Sequence, residues 1–299
     1  MKAPGALIRV SVTLIDEADQ ARFEGALESL TAADPKIEIN HTPVRQRVVL
    51  GGASELYLEI IVQRLIREHG FQLQFGAPEI AYLETISRAV DQDYTHKRQS
   101  GGAGHFARIK LRFEPLPQGS GYKFENAVVG GSVPADFVHG VQRGLEAARQ
   151  TGAIAGFPVT DFQATLLDGA YHEVDSSALT FELAARACFK EGISTARPGL
   201  LEPIMQLEAD VPADAVDSVI SDLKTRRAMT LRTRDRDSNK VVSALVPLSN
   251  LLGYENHVRG LSKGAGSSRM KFDHYAKVPP SWMDPDDTHP GAAIGLRPA

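Results

Sequence analysis

At 299 residues the chain is long enough for two or three domains, each with its own core. Its 42% hydrophobic and 23% charged residues and its mean hydropathy of -0.19 exclude a disordered or fibrous chain. A formal charge of -4 and a pI near 6.2 exclude a uniformly basic nucleic-acid binder, so any RNA contact must come from local clusters of Lys and Arg. The single cysteine, Cys188, leaves no disulfide framework or multi-cysteine zinc site and suits a reducing, cytoplasmic setting. In the run Ala187-Cys188-Phe189 it reads as a small buried thiol. Residues 1–5 hold one Lys and no long apolar core, and no run of 18 apolar residues occurs, so neither a signal peptide nor a membrane span is expected.

In chain order, residues 6–14 alternate as a strand does, and 18–30 place Phe23, Ala26, Leu27 and Leu30 on one helical stripe until Asp34-Pro35 stops it. Short strands at 37–40 and 47–50 flank a turn at Thr42-Pro43. Gly51-Gly52-Ala53-Ser54 then supplies a turn and a Ser N-cap for a helix bearing Leu58, Ile61, Val62 and Leu65, closed by Gly70 before a strand at 71–75. Strand, helix, strand, strand, helix, strand is the split βαβ or ferredoxin-like order. The same order is predicted again in a strand at 203–209, a helix at 213–226, strands at 230–234 and 241–246, a helix at 249–254 and a strand at 269–275.

The middle stretch carries predicted strands at 81–90, 107–113, 123–128 and 160–167, a helix with Val138, Val141, Leu145 and Ala148 on one face, and a helix at 177–190. Residues 281–299, with Asp284, Asp286, Asp287 and three prolines, read as a flexible tail.

Two segments carry chemistry. No acidic residue lies between Asp93 and Glu114, while Lys97, Arg98, Arg108, Lys110 and Arg112 are basic and His96 and His105 join them. These surround the glycine-rich turn Gln99-Ser100-Gly101-Gly102-Ala103-Gly104, whose amides can approach phosphate closely; a plain hairpin turn with solvated strand charges is the competing reading. The pattern GxxxxGK[ST] is absent, so no Walker-type nucleotide site is expected.

The second segment, Asp168-Gly169-Ala170-Tyr171-His172-Glu173-Val174-Asp175-Ser176-Ser177, is a turn, a polar tip and a helix start. Asp, His and Ser together invite a hydrolase reading through His172 and Asp175, but three such groups along one loop lack an oxyanion element or a G-x-S-x-G elbow. In the competing reading Asp175 or Ser176 caps the helix and His172 and Glu173 project from the tip. The nine His form no pair with metal-ligand spacing, so no metal is expected. Near the other end Lys224, Arg226, Arg227, Arg232, Arg234 and Arg236 are partly offset by Asp222, Asp235 and Asp237, as on a solvated face.

In the chain's own order, Leu56-Tyr57-Leu58-Glu59, Gln99-Ser100-Gly101-Gly102, Glu114-Pro115-Leu116, Gly156-Phe157-Pro158-Val159, Tyr171-His172-Glu173-Val174-Asp175-Ser176-Ser177, Leu201-Glu202-Pro203-Ile204-Met205, Arg226-Arg227, Val246-Pro247-Leu248 and Phe272-Asp273-His274-Tyr275 resemble bacterial elongation factor G. The resemblance runs from about Val10 to Pro279 and implies an α+β chain: two ferredoxin-like βαββαβ domains at 1–77 and 201–280 flanking, at 78–200, a ribosomal-protein-like α/β domain with an unusual crossover, and a tail at 281–299.

It implies the third, fourth and fifth domains of a translational GTPase whose GTP- and Mg-binding domain is not in this chain, leaving this chain no cofactor and no active site of its own. The implied partners are the ribosome, with its RNA and the tRNA–mRNA in the decoding site, and the absent GTPase domain; a monomer is expected. The implied decoding-site tip is Gln99, Ser100, Gly101, Gly102, His105, His172, Glu173, Asp175 and Ser176, with Lys97, Arg98, Arg226, Arg227 and Lys263 as further RNA contacts. Ala103 and Ala265 stand where the family carries Arg, which implies a divergent paralogue, such as one specialised for ribosome recycling or antibiotic protection.

Overall fold

The structure, a computed structural model, describes residues 5–42, 46–100 and 103–279. The expected tail at 281–299, Pro43 of the expected turn, and Gly101 and Gly102 lie outside the described residues. The chain divides into two compact units, one of residues 1–81 and 202–276, the other of 82–201 and 277–299.

The first unit begins with β1 (Ile8–Leu14), α1 (Gln20–Ala33), β2 (Glu38–His41), β3 (Arg47–Gly52), α2 (Glu55–His69), β4 (Leu73–Phe75) and the two-residue β5 (Glu79–Ile80). The sheet order is β2-β3-β1-β4 with β5 also paired to β1, so the two βαβ halves interleave. Helix α2 shows why the sequence folds this way. The Ser54 hydroxyl accepts from the Tyr57 amide at 3.2 Å, Gly70 closes the helix at φ 71°, and Leu58, Ile61, Val62 and Leu65 are buried.

The second unit holds β6 (Leu83–Ile86), β7 (Val90–Ser100), β8 (Ala103–Pro115), β9 (Tyr122–Asn126), α3 (Ala135–Gln150), β10 (Phe162–Ala170) and α4 (Ala178–Thr195). The sheet runs β7-β8-β10-β9; β7 and β8 form a long antiparallel hairpin, and β9 and β10 are parallel, joined through α3. Ile109, Leu111, Phe113, Ala164 and Leu166 pack from the sheet against Val141 and Leu145 of α3 and Phe181 and Phe189 of α4.

A single strand at 81–90 is not what forms. The Ser87 and Arg88 amides both turn to the Ala196 carbonyl, at 3.1 and 3.0 Å, and this bend separates β6 from β7. β6 instead pairs with Pro198–Leu201, the first residues of β11 (Pro198–Pro212).

A carboxylate organises the loop before β10. Glu84 is fully buried and accepts amides from Ala153, Ile154, Ala155 and Phe157 at 2.7, 3.2, 2.9 and 3.1 Å, which satisfies polar oxygens that burial without partners would strongly disfavour.

The rest of the first unit is β11 beyond Leu201, α5 (Val216–Thr225), β12 (Met229–Arg236), β13 (Asn239–Pro247), α6 (Tyr254–Leu261) and β14 (Ser267–Lys277), in sheet order β12-β13-β11-β14. The helix expected at 249–254 starts where it was expected to end. A 3-10 turn occupies Leu248–Asn250, Gly253 takes φ 67°, and α6 follows with Tyr254 and Val258 buried. Among the described residues no helix is long and apolar enough to cross a membrane.

Helices α3 and α4 approach backbone to backbone. A Cβ at Gly140 would fall on the Ala178 carbonyl oxygen, and one at Gly144 on that of Glu182 and within 2.8 Å of the Ala185 Cβ. Alanine favours a helix over glycine by about 1 kcal/mol, but overpacking costs about 1–3 kcal/mol per site. We therefore expect Gly140→Ala with Gly144→Ala to destabilise the second unit, read as a lower urea midpoint by circular dichroism; an unchanged or raised midpoint would show that the helices separate freely.

Candidate functional site

The two polar segments singled out in the sequence meet at one end of the second unit. The β7–β8 hairpin brings Gln99 opposite Gly104 and Ser100 opposite Ala103. Pairing of β8 with β10 ends at Ala170 opposite Arg108, which leaves Phe106, two residues further out, without a strand neighbour on that side. The loop after β10 supplies one. The Phe106 amide donates to the Asp175 carbonyl at 2.9 Å, and the Ser176 hydroxyl donates to the Phe106 carbonyl at 2.6 Å. The Gly104 amide donates to Asp175 Oδ1 at 3.2 Å, and a Cβ on Gly104 would stand 2.6 Å from the Asp175 Cγ, so glycine is required there by close approach.

The loop is also tied to itself. The His172 amide donates to Ser176 Oγ at 2.8 Å and the Ser176 amide to the His172 carbonyl at 3.1 Å. The N-cap of α4 is Ser177, which accepts from the Thr180 amide at 3.2 Å, rather than Asp175 or Ser176, whose side chains are turned to the hairpin. A hydrolase reading finds no Ser–His pair here. The Ser176 hydroxyl is held by two backbone groups, and His172 Nδ1 lies 3.5 Å from Asp175 Oδ2 with 60% of its side chain exposed.

Lys97, Arg98, His105, Phe106, Tyr171 and His172 line an open groove of about 590 Å³ over this joint, with Glu173 and Val174 exposed at its edge. Sequence reasoning missed Thr180, which is buried and lies 3.4 Å from His105 Nδ1 and 2.9 Å from the Ser177 hydroxyl. Its position three residues after a Ser N-cap was the available signal.

Not all the hairpin's cations are free. Arg108 and Arg112 each make two bonds to one carboxylate, Asp93 and Asp91 respectively, and these hydrogen bonds hold both carboxyls below their usual range. Lys97 and Arg98 are therefore the hairpin's outward cations nearest the tip.

Arg226 and Arg227 do not reach outward as the sequence suggests. Arg227 donates through Nη1 to buried Glu202 at 3.0 Å and also through Nη2. Arg226 binds Asp222 at 2.8 Å and the Asn250 carbonyl at 2.8 Å and lies over the Tyr254 ring. They hold the domain together, because a buried carboxylate such as Glu202 needs its partner. Lys263, at φ 55°, stays exposed in the loop after α6. Cys188 is buried and its thiol is pushed up to about 12, chiefly by burial, which removes it as a nucleophile. Among the described residues no group of three His, Cys, Asp or Glu side chains could hold a metal ion.

Two measurements test this geometry. Asp175→Ala, and separately Ser176→Ala, should speed hydrogen exchange at the Gly104 and Phe106 amides by roughly tenfold, the effect of losing about 1–1.5 kcal/mol of local hydrogen bonding, while amides in the β8 core stay protected; unaltered exchange at the tip would disprove the joint.

The second concerns His96, whose pKa is lowered from 6.5, first by burial and then by the charges of Arg98 and His105. A base whose folded pKa is depressed binds fewer protons folded than unfolded, so its contribution to stability is complete above the unfolded value and is lost as pH falls through it. Between about pH 7 and about pH 5, His96→Gln should lose less stability than the unaltered chain in parallel denaturation series.

Comparison with known proteins places this geometry in context. Three family models match in succession: Elongation Factor G, domain III over residues 3–77; Elongation factor G, domain IV over 78–197; and Elongation factor G C-terminus over 199–285. Elongation factor G of Hyphomonas neptunium is 46% identical over 279 residues, covering 93% of this chain and 40% of its own length. That of Anaplasma marginale is 44% identical over 284 residues, covering 95% and 41%. A crystal structure from Thermus thermophilus superposes with a TM-score of 0.71 at 36% identity over 94% of this chain and 42% of that one. The chain thus spans about 40% of the length of these relatives.

Proposed function

The chain belongs to the elongation factor G family, matching its domains III and IV and its C-terminal domain, and from that premise we propose that it is the ribosome-facing portion of a translational GTPase. In this reading the joined tip of the second unit enters the decoding site of the small subunit and helps the tRNA–mRNA pair to move. GTP and Mg²⁺ are held by a part of the parent protein outside these three domains, and the chain itself works as a cytoplasmic, monomeric, non-catalytic module. The observation that carries the reading is the joint itself: two segments about seventy residues apart in sequence are locked together under a groove flanked by Lys97, Arg98 and His172. Outward cations along an open groove suit phosphate and exposed bases better than they suit a small-molecule substrate, which needs an enclosed pocket.

Ala103 and Ala265 favour a second, narrower reading within the same class. Ala265 is exposed beside Lys263 in a glycine-flanked loop, where an Arg would be free to reach phosphate. A paralogue with both cations removed, such as one specialised for ribosome recycling or antibiotic protection, binds ribosomes with a weaker salt dependence.

The test is a chemical footprint of small-subunit RNA with the purified chain bound to ribosomes. Protection should fall in the decoding site, and Lys97→Ala with Arg98→Ala should weaken binding by roughly a hundredfold or more for two lost charge-assisted contacts. Ribosome binding with protections only elsewhere, or a double variant with unchanged affinity, would remove the tip from the interface.

A further inference from the structure

Among the described residues Glu84 and Glu202 are the two buried glutamates, and they are satisfied differently. Glu202 is met by the guanidinium of Arg227. Glu84 is met by main chain: its Oε2 accepts the amides of Ala153 and Ile154, and its Oε1 those of Ala155 and Phe157. Backbone N–H groups converging on one anionic group are the means by which a loop binds a foreign carboxylate or phosphate.

The shape of this concavity has sources other than Glu84. Thr151 is right-handed, at φ -98°, and Gly152 left-handed, at φ 66°, the alternation that turns successive amides to one side. Gly156, at φ 83°, repeats the left-handed step just before the Phe157 amide. Both ends of the loop hang from the last turn of α3, the Thr151 amide donating to the Ala148 carbonyl at 3.1 Å and the Val159 amide to the Arg149 carbonyl at 2.7 Å. A Cβ on Gly152 would stand 2.4 Å from Glu84 Oε1, so the carboxyl lies directly against the bend. The loop residues 152–157 are half-buried or exposed while the side chain they enclose is fully buried, which makes them a thin cover over it.

The strand that carries this side chain has a particular place. β6 begins at Leu83, next to the residue at which the chain enters the second unit, and pairs with Pro198–Leu201, the last residues before the chain leaves it. The Glu84 amide donates to the Pro158 carbonyl and the Glu84 carbonyl accepts the Thr160 amide, each at 2.8 Å. Main chain and side chain of one residue thus fasten the entering strand to the loop between α3 and β10.

We propose that residues 152–157 are a preformed carboxylate-binding nest, that Glu84 is its built-in ligand, and that this ligation is a latch holding the entering and leaving strands of the second unit to the α3–β10 loop. The competing account is a loop with no shape of its own, which takes one only around Glu84. The two differ in what a free carboxylate can do. A preformed nest emptied of Glu84 binds formate, which offers the same two oxygens, whereas a shapeless loop does not. The ligand has to accept at both oxygens, because four donors face it; a carboxamide would turn an NH₂ group toward N–H donors. The inference is independent of the ribosomal reading, since all its parts lie within residues 82–201 and its test needs no ribosome.

The test is hydrogen exchange and thermal melting of Glu84→Ala in the 299-residue chain, with sodium formate against sodium chloride at equal concentration and pH. Without formate, the amides of Ala153, Ile154, Ala155 and Phe157 should exchange faster by roughly tenfold or more, and the melting temperature should fall. Formate should slow those four amides again and raise the melting temperature as its concentration rises, as a ligand of the folded state does, and chloride should do so far less. The Thr160 amide, which joins loop to strand, should speed up in Glu84→Ala and stay fast in formate, because an untethered ligand fills the nest without closing the latch. Glu84→Gln should be destabilised yet indifferent to formate, since its side chain still occupies the site. The unaltered chain should ignore formate, because a tethered and oriented carboxylate outcompetes a free one. A folded Glu84→Ala that responds to formate no more than to chloride overturns the nest, and so does an equal response in Glu84→Gln or the unaltered chain. Unchanged exchange at Thr160 in Glu84→Ala overturns the latch. If Glu84→Ala does not fold, its refolding from urea is compared in the two salts: recovery in formate alone supports the nest, and failure in both overturns it.

Discussion

The geometry of the tip depends on a single peptide unit at the outer end of a strand. Beyond Arg108 the β8 strand has left its neighbour β10 behind, and the Phe106 amide and carbonyl would face outward unpaired. The loop after β10 returns to occupy both, the amide through a backbone carbonyl and the carbonyl through a serine hydroxyl. An edge group left open costs a hydrogen bond and invites foreign strands, so closing it is favourable in itself. The closure also fixes where His172 lies relative to Lys97 and Arg98. The groove is a consequence of edge satisfaction, and its cations need no contact with one another.

The same logic separates cations that hold the fold from cations that face solvent. Arg108, Arg112, Arg226 and Arg227 are each bound in more than one place by carboxylates or carbonyls of their own unit. Arg227 in particular answers Glu202, which is nearly devoid of solvent contact. Lys97, Arg98, Arg232, Lys263 and Lys271 remain outward. A chain of net charge -4 can present cationic surfaces because its acids are distributed as partners to some of its bases and not to others.

Much of this was legible from residue order. The N-caps and C-caps of α2, the apolar stripes of α1 and α3, and the alternation in β13 are local signals that survive folding, so both βαββαβ runs and the placement of the glycine hairpin followed directly. What escaped was decided by partners distant in sequence. Nothing around Ser87 announces that its amide will turn to Ala196, and nothing around Glu84 reveals that four amides about seventy residues later will enclose it. Arg226-Arg227 looked like a surface pair because the sequence shows their charge but not the buried Glu202. Asp175 or Ser176 reads as the helix cap for a related reason: Asp175, Ser176 and Ser177 are comparable caps locally, and only the hairpin's free groups at Gly104 and Phe106 decide among them.

The contact between α3 and α4 has a mechanical meaning. Where side chains separate two helices, a sideways load is taken up by rotamers that swing and by methyl groups that slide. At Gly140 and Gly144 there are no such cushions, and peptide backbone bears on peptide backbone. Helix α4, capped by Ser177 directly after the tip loop, runs from Ala178 to Thr195. A displacement imposed on the loop therefore enters a helix that has no side-chain cushion where it is seated against its neighbour.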